Sequence, residues 1–259
     1  ALYKTLMGPV EADIASKKVL AVIPTGILSY VPFAALRTDG KFLIETHELA
    51  VIHQSSQLER LAQPKMGVQG ASLVIGNPDF TLASAENEAR EVGQLLPQAS
   101  VLLGKDATMS RLLQKLISPT SYLHLATHGV NSSVDQTESY LVLADSRLYG
   151  HEIVGLPLND TRLVTLSACQ TALGETIPDS EVTSLAQAFE FAGVPTVIST
   201  LWPVDDESTR QLMTSFYAKV KSEGDLAAAL RHAQLAVLQN EKYKNPFYWA
   251  GIQLGGDWR

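Results

Sequence analysis

Apolar positions along the chain follow two rhythms. Short unbroken runs rich in Val, Ile and Leu, bounded by Pro, Gly or Asn, predict buried strands, and longer stretches with a 3.6-residue period predict helices. KVLAVIP reads as a strand ending at Pro24, FLIET and ELAVIHQ as a hairpin or edge pair, and ASLVIGNP as a strand closed by Asn77-Pro78. SAENEAREVGQLL predicts a helix with Ser84 as its cap and Ala89, Val92 and Leu96 on one face, and the strand SVLLG follows it. The alternation continues through helix TMSRLLQKLI, strand SYLHLAT, polar loop HGVNSSVDQTE, and strands YLVLA and RLVTLSA. Helix SEVTSLAQAFEFAG stacks Leu185, Phe189 and Ala192 and stops at Gly193, ahead of strand TVISTLW. Helices DDESTRQLMTSFYAKVKSEG and DLAAALRHAQLAVLQ precede a final strand, YWAGIQL.

Continuously apolar strands separated by helices imply an α/β fold, a three-layer sandwich with a mostly parallel central sheet covered by helices on both faces. In such sheets ligands and chemistry gather beyond the carboxyl ends of the strands. Residues 1–65, with the hairpin, form a possible subdomain beside a core of residues 66–259. No flexible linker divides the two, so 1–259 reads as a single domain.

Composition narrows the function classes. The net charge is −7, and the lysines are scattered as Lys17/Lys18 and Lys242/Lys244, which argues against a nucleic-acid partner because a phosphate backbone calls for a basic face. No apolar run is long enough to span a bilayer and no signal peptide opens the chain, so the expectation is no membrane and a cytoplasmic location, in keeping with a free thiol. The first residue, Ala1, suggests a piece of something longer, or a processed N-terminus. The single cysteine, Cys169, excludes an internal disulfide and any multi-cysteine metal site.

Two inner-strand candidates end in reactive groups. YLHLAT delivers His128-Gly129, and LVTLSA delivers Cys169. On adjacent parallel strands the imidazole can take the thiol proton, as a cysteine nucleophile requires. Gly129, lacking a Cβ, lets a substrate approach the main chain, so its N–H and that of Cys169 form an oxyanion site. Taken alone, a single Cys at a strand end is more often a packing residue.

Other residues weigh less. His124 lies four before His128, roughly 13 Å away along a strand, which argues against a zinc pair, and His124 reads as a satisfied core histidine or a support to the site. Ser167 lacks the Gly-x-Ser-x-Gly setting of a hydrolase nucleophile, and no phosphate-loop motif occurs, which weakens a small-molecule binding domain. Asp205 and Asp206 are candidates for substrate binding, although Asp before Glu207-Ser208-Thr209 is first of all a helix cap. Asp145, Asp135, Glu181 and Gln170 complete the polar candidates. The apolar face of RHAQLAVLQNEKYK reads as core ahead of a docking surface.

HLATHG, LVTLSACQTALGE, SLAQAFEFAGVPTVISTLWPVDDESTRQLMTSFYAKV, ALRHAQLAVL and NPFYWAGIQLGG resemble, in order, signature segments of the CHAT domain, and VLAVIPTGILSYVPFAAL resembles its early strand and turn. The resemblance covers essentially the whole chain. It implies the caspase-type fold shared with separases and gingipains, a His128/Cys169 dyad, a cysteine endopeptidase acting on protein or peptide substrates without a cofactor, and an attached tetratricopeptide-repeat region or regulatory partner. The Glu-Thr-Gly that commonly follows the family's cysteine is Gln170-Thr171-Ala172 here, while Ser180-Glu181 keeps the later acid. These departures leave a catalytically inactive interaction or regulatory module as the alternative.

Overall fold

In the computed structural model, which describes residues 1–54, 56–65, 67, 70–130, 139–167 and 184–259, the buried apolar runs pair into one sheet of eight described strands. They are β1 (Val19–Val22), β2 (Glu48–Val51), β3 (Ala71–Gly76), β4 (Ala99–Leu103), β5 (Thr120–Ala126), β6 (Leu163–Leu166), β7 (Thr196–Thr200) and β8 (Ile252–Gly256). Their order across the sheet is β1-β2-β8-β7-β6-β5-β3-β4. Neighbours are parallel except β7 and β8, so β1, β2 and β8 run opposite to the other five.

The two-residue period of a strand sends alternate side chains to opposite faces. On one face Val74, Tyr122, Leu163 and Ile198 meet helices α1 (Ala83–Leu95), α4 (Asp206–Glu223) and α5 (Leu226–Gln239). On the other, Leu73, Leu123, Leu125, Val164 and Val197 meet α2 (Met109–Leu116) and α3 (Leu185–Phe191). Leu212, Met213 and Phe216 of α4 are wholly buried, each contributing roughly 1.5–3 kcal/mol by leaving water. The result is a three-layer α/β sandwich, as the pattern of runs implies. A third, smaller core of Tyr3, Met7, Leu20, Leu36 and Leu43 seats the N-terminal segment.

Three details depart from the sequence reading. FLIET is not half of a hairpin with ELAVIHQ: Leu43–Thr46 is a helical turn, and Glu48–Val51 is the inner strand β2 between β1 and β8. Both Leu43 and Ile44 bury, which a turn allows, and the Glu45 carboxylate accepts the Phe42 N–H at 2.6 Å. Ser84 lies inside α1 instead of capping it, since the N-cap position is Leu82. Tyr140–Val142, the core of YLVLA, leaves the main sheet for a separate antiparallel one with Gly129–Val130 and Arg147–Tyr149. β1 and β2, from residues 1–65, extend the main sheet. Ala233, Gln234 and Val237 of RHAQLAVLQNEKYK are buried, so that face is core. Among the described residues no helix is long and apolar enough to cross a membrane.

Candidate functional site

The site is built where β5 and β6 end together. Their parallel ladder pairs Tyr122 with Leu163 and Leu125 with Leu166. The Ser167 N–H donates to the Leu125 carbonyl at 3.0 Å, carrying the pairing one residue further. Past β5 the chain turns into the small sheet. Thr127 Oγ1 donates to the Val142 carbonyl at 2.8 Å, the Val142 N–H donates to the His128 carbonyl at 2.9 Å, and Gly129 stands opposite Leu141. The backbone of His128 is therefore clamped between two sheets.

The imidazole of His128, 36% exposed, is held by the loop that follows β3. Thr81 Oγ1 lies 2.7 Å from His128 Nε2 and donates to Asp79 Oδ1 at 2.8 Å. A carboxylate only accepts, so the hydroxyl hydrogen belongs to Asp79 and the oxygen accepts from Nε2–H. That fixes the tautomer and leaves Nδ1 as the basic nitrogen of the neutral ring. Asp79 Oδ2 stands 3.7 Å from Nε2 and adds its charge. The loop departs from relaxed backbone to do this: Asn77 (φ 48°) and Phe80 (φ 64°) both occupy the left-handed region. Such strain persists only where the surroundings impose it, and here Asn77 Oδ1 accepts the Leu82 N–H at 2.8 Å while the Asn77 N–H reaches the Ala126 carbonyl at 2.9 Å.

Beneath this edge lies a buried polar chain. His124, wholly buried, places Nε2 2.9 Å from Glu88 Oε1 and Nδ1 3.3 Å from the Tyr217 hydroxyl, which lies 2.6 Å from Thr165 Oγ1. Burial pushes the Tyr217 phenol up, so it stays neutral and serves as a hydrogen-bond group. His124 is thus a satisfied core histidine. Glu88 also lines a small cavity at the strand tips with Leu82, Thr127, Ser167, Asp206 and Thr209. Burial raises the Asp206 carboxyl above its ordinary value, with the neighbouring charges of Glu88 and Asp205 adding to it and that of His128 opposing. A cation placed beside Asp206 would offset that cost of ionisation.

A model of the CHAT domain matches residues 1–257. The chain belongs to the CHAT domain family. It is 24% identical to human tetratricopeptide repeat protein 28 over 99% of its own length, and that alignment takes in only 13% of the larger protein. By structure the CHAT domain resembles separase in the Saccharomyces cerevisiae separase–securin complex, with TM-score 0.64, 15% identity, 88% of this chain and 14% of that one. It also resembles the Arg-specific cysteine proteinase gingipain R, with TM-score 0.65, 11% identity, 97% of this chain and 66% of that one. At these identities the likeness is one of fold, and the fold is that of the caspase-like peptidases.

Within the CHAT domain, the residues singled out from sequence separate cleanly. His128 and Gly129 stand at the tip of β5. Asp205 is the N-cap of α4, its Oδ1 accepting the Ser208 N–H at 2.9 Å. Asp206, one residue on, faces the cavity instead. Asp145 accepts the Met109 N–H at 3.0 Å and so anchors the start of α2. Cys169, Gln170, Glu181 and Asp135 lie outside the described residues. Asp79, Thr81 and Glu88 escaped the sequence reading; only Asn77-Pro78 marked the loop, and nothing local in NPDFT tells which polar group will face an imidazole 47 residues away.

Proposed function

We propose that this CHAT domain is a cysteine endopeptidase in which His128 and Cys169 act as a dyad. The observation that carries the reading is the locked imidazole: Nε2–H is committed to Thr81 and Asp79, leaving Nδ1 basic, at the tip of the strand beside the one that leads to Cys169. The described ladder supports it, since β5 and β6 run parallel and pair Leu125 with Leu166 at the ends from which the sequence goes on to His128 and to Cys169.

In this reading Nδ1 takes the Cys169 proton, and the thiolate attacks the substrate carbonyl carbon. The tetrahedral oxygen anion is received by the N–H groups of Gly129 and Cys169. The imidazolium, steadied by Asp79 through Thr81, returns its proton to the leaving amine, and water, deprotonated by the same ring, frees the acyl group. Asp206 puts negative charge at the strand tips, where a cavity of about 20 Å3 admits no side chain, so a basic residue ahead of the scissile bond meets that charge at the cavity mouth, with Asp205 occupied as a cap. The 24% likeness to a tetratricopeptide repeat protein supports an attached repeat region as the regulatory partner.

The test is cleavage of a peptide library by the wild type, Cys169→Ala and His128→Ala, beside the pH dependence of iodoacetamide labelling. Loss of cleavage in both variants, with enrichment of Lys or Arg before the cut, is expected. Cleavage that survives either substitution overturns the dyad, and a wild type that binds but never cuts identifies an interaction module.

A further inference from the structure

A second cavity opens at the other end of the sandwich, where β5 and β6 begin. Its walls are Leu95, Leu96, Pro97, Tyr122, Tyr217 and Val220, with Arg162, Lys221 and Gly224 completing the lining. At about 320 Å3 it falls at the small end of the roughly 300–1,000 Å3 range in which proteins hold organic ligands. Its floor carries a buried charge. Arg162 is 5% exposed, and its guanidinium donates to the Tyr122 hydroxyl at 3.2 Å, the Gly224 carbonyl at 2.6 Å and the Arg259 main-chain oxygen at 2.8 Å.

These contacts use three of the five guanidinium N–H donors, and among the described residues no Asp or Glu side chain pairs with it. A buried guanidinium that meets a phenol and main-chain oxygens, and no Asp or Glu side chain, still gains from an anion that reaches its spare donors. Lys221 adds a second positive group to the lining, and Lys65 a third nearby, its Nζ donating to the same Gly224 carbonyl at 2.7 Å. Burial, and next the charge of Arg162, push the Lys65 ammonium below its ordinary value. Neither nearby acid lines the cavity, although both feel this cluster: Asp257, bonded to Arg259 at 2.8 Å, is lowered in part by the charge of Arg162, and Asp225, which caps α5, acts with Asp257 on Lys65.

We propose that this cavity is a binding site for a small amphiphilic anion, an apolar body bearing one carboxylate that reaches Arg162 with Lys221 at the mouth. Leu95, Leu96, Val220 and the ring faces of Tyr122 and Tyr217 receive the body, and the spare guanidinium donors receive the charge. The site stands apart from the strand tips, so it holds whether or not the domain cleaves peptides.

The experiment is calorimetric titration of the protein with sodium decanoate, kept below its micellar concentration, beside decyltrimethylammonium as the cation of equal body. Saturable binding of decanoate at a single site and none of the cation are expected. Lys221→Glu, an exposed change, and Val220→Phe, which fills the cavity, each weaken decanoate by about tenfold or more, with folding verified by circular dichroism. Arg162→Met abolishes binding where it folds. Equal binding of the cation, an absence of saturable decanoate binding, or affinity unchanged in both Lys221→Glu and Val220→Phe overturns the proposal.

Discussion

The Thr81 hydroxyl accepts Nε2–H of His128 across 2.7 Å while handing its own hydrogen to Asp79. One oxygen atom thereby determines which nitrogen of the ring is basic. Thr81→Val keeps the branched shape and removes the oxygen, so under the proposed dyad the kcat for peptide cleavage should fall by about 10²-fold, a share of what general acid–base catalysis supplies. Thr81→Ser should restore most of it. Imidazole nitrogen chemical shifts check the cause, since the valine variant should populate both tautomers; a variant with full activity and one tautomer removes Thr81 from the mechanism.

Glu88 and His124 form a wholly buried pair whose other ring nitrogen meets Tyr217. Removing one member strands the other, so Glu88→Ala should cost roughly 3–5 kcal/mol in urea unfolding. Glu88→Gln keeps an acceptor for His124 and should cost clearly less. Equal losses in the two variants would show that volume, and not the polar link, holds this part of the core.

Asp206 and Glu207, adjacent in the first turn of α4, titrate in opposite directions. Asp206 is raised by burial, so folding favours its protonated form and its stabilising contribution, present below the ordinary carboxylate value, is lost as pH climbs through the raised one. Glu207 is held at about 2 by hydrogen bonds from Arg210 and Gln211, so its contribution is present above the ordinary value and is lost as pH falls toward 2. Melting temperatures between pH 7 and pH 3 should therefore show Asp206→Asn losing ground to the wild type on acidification and Glu207→Gln gaining it. Parallel curves for all three proteins would contradict both assignments.

Asp205 is engaged as a helix cap. Asp205→Ala should lower stability by about 1 kcal/mol, while Asp205→Ser retains most of it. If the domain cleaves as proposed, Asp205→Ser should leave the proposed preference for basic residues intact and Asp206→Asn should weaken it, because of the two only Asp206 faces the cavity. A reversal of that ranking would move substrate recognition to the capping residue.

The central layer was legible because its strands are buried on both faces and therefore uninterrupted in the sequence, as in SYLHLAT and RLVTLSA. FLIET was not, since so short an apolar run satisfies either period and only the Glu45 bond to Phe42 selects a turn. The histidine at the tip of β5 was legible because the apolar run stops there. Its partners were not: Asp79 and Thr81 arrive from a loop whose geometry depends on two left-handed residues without the glycines that usually announce them. Asp205 and Asp206 looked alike in the sequence, and one residue of helical rotation gives them different neighbours.

The position of β8 between β2 and β7 sets an order of assembly. Among the described strands, β1 and β2 join the rest of the sheet through a segment translated some two hundred residues after them. Until that segment emerges, β2 exposes an unpaired row of backbone donors and acceptors, the kind of edge that recruits foreign strands. Nascent chains halted before Ile252 should consequently depend on chaperones far more than those halted after Gly256.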